Sequence, residues 1–138
     1  MAKYLIAIVG DQAAYDAMSG KPSEGYPAWS PDELQTMFGF MESLNNDLAE
    51  SGEFVDGQGL AEPRQAVFLT AGSDGKPIVS DGPYSETREV FAGYWVVECS
   101  NIDRAIDIAK RVYSCPIPAG SKPADLVVHP ILDAPAGA

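Results

Sequence analysis

The chain has 138 residues, 46% hydrophobic and 21% charged, a size and balance that suit one globular unit with a real core. Its net charge of −11 rests on 20 acidic against 9 basic residues, and the basic ones are scattered, which excludes a nucleic-acid surface built on clustered Lys and Arg. No apolar run approaches the ~20 residues of a membrane helix.

The opening run Met1-Ala2-Lys3-Tyr4-Leu5-Ile6 is too short and strand-like for a secretion signal, so a cytoplasmic location is expected. Cys99 and Cys115 are then reduced thiols, and their spacing fits neither a CxxC pair nor a zinc site.

The first strand is expected over residues 3–9; it is nearly all apolar, as for a strand covered on both faces. Residues 10–30 form a long connection in which 12–18 fit one or two helical turns and the Gly/Pro-rich remainder is irregular. Tyr26 and Trp29 make it either a lid on the sheet or a surface flap anchored by two aromatics. Ser30, Pro31 and Glu33 spell an N-cap, a first-turn proline and a capping box; Gly52 ends the helix. Leu34, Met37, Phe38, Met41, Leu44 and Leu48 form one apolar stripe, read as core packing rather than as a ligand wall.

A second strand over residues 53–60 contains Gly57 and Gly59, which mark a bulge or a close backbone approach. Residues 65–71 and 77–80 read as a hairpin around a turn at 72–76. Residues 91–99 read as a central strand, with Phe91, Gly93, Trp95 and Val97 on one face and Ala92, Tyr94 and Val96 on the other. A second helix starts at Ser100 or Asn101 and buries Ile102, Ala105, Ile106, Ala109 and Val112, with Asp107 and Arg111 placed to pair. A Pro/Gly loop over 114–123 leads to a last strand over 126–132 and a frayed tail over 134–138.

This order predicts an α+β ferredoxin-like sandwich over residues 1–133: an antiparallel sheet with two helices on one face and an added β-hairpin. The second sheet face carries Tyr94 or Trp95 and other apolar groups. A second copy is the simplest cover, so a homodimer is expected.

The most distinctive run is Asp81-Gly82-Pro83-Tyr84-Ser85-Glu86-Thr87-Arg88-Glu89, followed at once by the strand from Phe91. It has the composition of a rigid loop presenting carboxylates beside a buried sheet. It resembles the DGPF signature of the YCII-related family, with Tyr84 where Phe is usual and Arg88 where Lys is usual. The resemblance extends over nearly the whole chain, including Gly10-Asp11 and the glycines before Leu60. It implies a dimeric α/β barrel with two sheets face to face.

Asp81 is the candidate general acid or base, set against a structural role in which it accepts backbone N–H bonds at the turn. Tyr84, Arg88 and Trp95 are the candidates for substrate contact, Arg88 through its planar fork, although Glu86 and Glu89 compete for it. His129, the sole histidine, is a further catalytic candidate. Enzymatic YCII relatives use a His–Asp pair, but the resemblance does not carry that role to the last strand.

No dinucleotide, Walker, GxSxG or HExxH pattern occurs, so no cofactor and no metal are expected. The resemblance implies either a cofactorless enzyme performing proton transfer or elimination on a small organic molecule, or a non-catalytic ligand-binding or regulatory module. In the second case, an extracytoplasmic-function sigma factor is a possible protein partner.

Overall fold

The computed structural model of the chain describes residues 1–81 and 90–133, with Asp81 placed by its backbone alone. Strand β1 (Ala2–Gly10) lies at the centre of a four-stranded sheet. Helix α1 (Gln12–Met18) follows, then the long helix α2 (Pro31–Ser51) and strand β2 (Phe54–Gly59). Strands β3 (Val67–Ala71) and β4 (Pro77–Asp81) form a separate two-stranded sheet, which is the added hairpin. Strand β5 (Val90–Cys99), helix α3 (Ile102–Tyr113) and strand β6 (Asp125–Pro130) complete the order. The main sheet runs β2-β5-β1-β6 with every neighbour antiparallel. With α2 and α3 packed on one face, this is the ferredoxin-like α+β sandwich that the sequence predicts.

Local chemistry sets the helix ends. Ser30 Oγ accepts from the Glu33 N–H at 3.1 Å, and Glu33 Oε1 accepts from the Ser30 N–H at 2.8 Å, closing the capping box on α2. Gly52 stops the helix at φ 79°, a left-handed conformation that costs glycine nothing. The Asn101 side chain caps α3 by accepting from the Arg104 N–H at 3.0 Å.

The core joins Tyr4, Ile6, Trp95 and Val97 of the sheet to Leu44 and Leu48 of α2 and to Ala105, Ile108, Ala109 and Val112 of α3. Two expected stripes are corrected. On α3, Ile108 is buried, while Ile102 and Ile106 are exposed. On α2 only Leu44 and Leu48 are buried, and Phe38 is 62% exposed.

Phe91 also leaves the face expected of it. Ile8 pairs with Gly93 but Val9 pairs with Phe91, so Ala92 is an extra residue that shifts the alternation before it. The other bulge, in β2, falls at Val55 rather than at Gly57 or Gly59.

Side chains of Leu5, Ala7 and Val9 alternate away from the helices, beside Tyr94 and Val96 on β5 and Val127 and His129 on β6. Among the described residues of one chain, no helix or further sheet packs on that face. Trp95 belongs to the helix face, and Tyr94 to the open one.

One end of the sandwich is clamped by charge. Arg104 donates from Nε and Nη2 to the two carboxylate oxygens of Glu53, each at 2.8 Å, and the Glu53 side chain is only 13% exposed. Arg111 pairs with Asp47 on α2 at 2.6 Å, not with Asp107 as its spacing suggested; this exposed pair adds little stability.

Two outcomes follow. Leu44→Ala should cost about 3 kcal/mol through a buried cavity and lower Tm by on the order of 10 °C, whereas Phe38→Ala on the same stripe should leave Tm nearly unchanged. Equal losses would mean that the stripe is core throughout. The hydrogen bonds from Arg104 hold the Glu53 carboxyl below its ordinary value of 4.5. The stabilisation is therefore present above that value and lost as pH falls through the lower folded-state pKa. Urea titrations between neutral and acid pH should show a smaller acid loss in Glu53→Gln than in the parent, and an identical loss would remove Glu53 as its source.

Candidate functional site

Beyond Leu44, towards its N-terminus, α2 stands off the sheet and a cavity of about 630 Å³ opens beneath it. The sheet supplies the floor, and the floor is low because side chains are missing. Gly57 and Gly59 are two residues apart on β2 and share a face, with Gly59 paired to Gly93 and Gly57 to Trp95. A Cβ at Gly57 would press on Phe54 and Trp95 at 3.2 and 3.3 Å, and one at Gly93 would come 3.1 Å from the Gln58 carbonyl oxygen. A Cβ at Gly59 would meet nothing within 4 Å. These strand glycines thus mark close approach at two positions and open space at the third.

Met37, Phe38 and Met41 of α2 line the opposite wall. The stripe read from sequence as core packing is therefore a cavity wall in this half. Trp95, a predicted substrate-contact residue, sits at the boundary between core and cavity, 7% exposed. Its indole N–H donates to Asn45 Oδ1 at 2.8 Å, which orients the Asn45 amide, itself a lining group.

The third wall comes from the long connection. Asp11 caps α1 by accepting from the Ala14 N–H at 3.1 Å. The Tyr15 hydroxyl donates to the Leu60 carbonyl at 2.7 Å, with the Ala92 carbonyl 3.1 Å away, tying α1 to the end of the β2–β5 ladder. Burial, reinforced by the charge of Glu62, pushes the Tyr15 phenol above its ordinary range, so it stays a neutral donor. Gln12, 1% exposed, donates to Asp16 and accepts from the Arg64 N–H, fastening α1 to the 3-10 turn Pro63–Gln65. The Trp29 N–H donates to the Ala17 carbonyl at 3.0 Å, which brings Trp29 and Tyr26 to the cavity.

The loop after α3 completes the enclosure. Gly120, at φ 85°, permits a turn in which the Ser121 N–H donates to the Pro118 carbonyl at 3.0 Å. The Lys122 N–H donates to the Gly25 carbonyl at 2.8 Å, joining this loop to the connection. Ser121 Oγ is buried and has no hydrogen-bond partner among the described residues. Burial raises the pKa of the lining residue Cys115, keeping its thiol protonated. Among the described lining residues no carboxylate and no imidazole occurs, and Lys122 is the single charged side chain.

Of the other predicted site residues, only His129 has a described side chain. His129 is exposed on the open face of β6, with Nδ1 2.9 Å from the Pro130 carbonyl oxygen, across the sheet from the cavity. On that same face, Tyr94 donates to Asp56 at 2.9 Å, and this bond raises its phenol pKa. Asp81 ends β4. The Asp81 side chain, Tyr84 and Arg88 lie outside the described residues. Among the described residues no three His, Cys, Asp or Glu side chains gather as a metal site, and no helix is long and apolar enough to cross a membrane.

Sequence reading missed Asn45, Ser121, Lys122 and the glycine floor. The spacing of Gly57 and Gly59 was the available signal, since residues two apart on a strand empty one face together.

Comparison with known proteins agrees with this architecture. The chain is 29% identical over 94 residues to an uncharacterized protein of Rhizobium meliloti (strain 1021), an alignment covering 68% of this chain and 75% of that relative. A family model described as the YCII-related domain matches residues 4–118, a span that runs from β1 through α3 and holds most of the cavity. The chain belongs to the YCII-related family.

Proposed function

We propose that this protein binds a small, largely apolar organic molecule in the cavity between α2 and the glycine floor. The carrying observation is the composition of the walls: Met, Phe, Trp and Tyr side chains around strand glycines, with a few isolated polar groups. That is the make-up of small-molecule sites, in which apolar surface supplies affinity and sparse polar groups set orientation. The volume argues the same way. At about 630 Å³ the cavity is within the size range of small-molecule sites, and it is partly open to solvent. The space therefore holds water or a ligand, and water against such walls is readily displaced.

The described lining residues are mostly apolar with sparse neutral polar groups, which supports binding. Residues 10–30 are the proposed lid, since Tyr26 and Trp29 close one side of the cavity.

2-Naphthalenemethanol, titrated calorimetrically, should bind saturably to the parent and about tenfold or more weakly to Gly59→Phe, whose ring would project into the open space at that position. Unaltered affinity in a folded Gly59→Phe protein would place binding outside the cavity.

A second reading concerns assembly and rests on the open sheet face. Leu5, Val9, Tyr94, Val96 and Val127 present a contiguous apolar surface, of the kind covered in stable assemblies. We infer that a second copy covers it, sheet against sheet. Light scattering should find a dimer in the parent and a monomer in Val127→Glu, and a monomeric parent would overturn the inference.

A further inference from the structure

We propose that the ligand is an aromatic monocarboxylate, with its ring in the cavity and its carboxylate held by Ser121 and Lys122; this rests on the cavity being a binding site. Three observations on one loop carry it. Ser121 lines the cavity, and its Oγ lies buried just behind the wall with no hydrogen-bond partner among the described residues. A buried hydroxyl in that state has a hydrogen bond left to make, and a bound acceptor can supply it. The adjacent Lys122 is the only charged group among the described lining residues, and it makes no ion pair among the described residues. Both residues are pinned through their backbones, Ser121 to Pro118 and Lys122 to Gly25, so the hydroxyl and the ammonium stem are held where the cavity needs them.

The donor set selects the headgroup. One hydroxyl and one ammonium match the two oxygens and the single charge of a carboxylate. A phosphate dianion calls for more cations or for a helix N-terminus. The walls select the body, because Tyr26, Trp29, Phe38, Trp95 and Tyr113 favour stacked or edge-on contact with a ring.

The test compares 2-naphthoate with 2-naphthalenemethanol by calorimetry on the full chain. The two share a ring and differ in the headgroup. The parent should bind the carboxylate roughly tenfold more tightly, the scale of one charge-assisted contact. Lys122→Gln and Ser121→Ala should each reduce that preference, read as the ratio of the two affinities in the same variant. Raising the salt concentration should also reduce it, since Lys122 is exposed. Equal affinities in the parent, or a preference that survives in both variants, would overturn the headgroup assignment and leave the binding reading intact. Failure of both compounds to bind would overturn the binding reading and this inference together.

Discussion

The structure depends on where α2 touches the sheet. The helix has 21 residues, a length of roughly 30 Å at ~1.5 Å per residue, and carries apolar side chains on one face for most of it. Leu44 and Leu48 are buried in the core, and Met41 packs against its edge. Under the preceding turns the sheet offers Gly57, Gly59 and Gly93, so Met37 and Phe38 have no core to complete. A helix packs at a distance set by the side chains between it and its support. Here that layer is full at one end and thin at the other, and the result is a cavity built into the main packing contact of the fold.

The two ends of the sandwich consequently do different work. At the closed end, Glu53 and Arg104 tie the start of β2 to α3, while the Glu98 N–H donates to the Glu53 carbonyl at 2.9 Å. The core residues of both helices lie nearby, so the fold does not rely on the cavity for its stability. At the open end, order comes from isolated hydrogen bonds that cross between segments: Tyr15 to Leu60, Trp29 to Ala17 and Lys122 to Gly25. Such contacts hold a wall in place with little buried apolar area behind it. Segments of that kind sit at the low end of local stability and open more readily than a core.

Much of the fold was legible in the sequence because its signals are local. Ser30, Pro31, Glu33 and Gly52 mark α2 without reference to any other segment, and apolar runs mark β1 and β5. The bulge at Ala92 was not legible, since it is a property of pairing, and it alone turned Phe91 to the other face. The stripe on α2 shows the same limit in a sharper form. Periodicity records that one face of a helix is apolar, but not whether apolar side chains or glycines lie opposite. The division between core and cavity depended on β2–β5 register, which pairs Gly59 with Gly93 across sequence-distant strands. Ser121 and Lys122 were hidden for a similar reason: a Pro/Gly loop carries no periodic signal, and its position over the cavity comes from a bond to Gly25. Trp95, on the strand that follows the signature run, is the predicted contact residue that the structure brings to the cavity.

Charge constrains how the cavity can be used. A chain of net charge −11 repels an anion at long range, so an acid gains nothing from steering as it approaches. At ~0.15 M salt that repulsion is confined to about 8 Å from the surface, and affinity for an acid must come from contact. A single ammonium at the rim of an apolar cavity is a stronger partner than one surrounded by water, because fewer solvent dipoles compete for the anion. Full burial of the carboxylate would still be costly with only one cation and one hydroxyl to replace its hydration. The economical pose therefore places the ring against the glycine floor and leaves the headgroup at the rim, where Ser121 supplies a dry donor and the exposed Lys122 keeps part of the carboxylate in contact with water. That orientation follows from the placement of the one charged group, since the other described lining side chains are apolar or neutral.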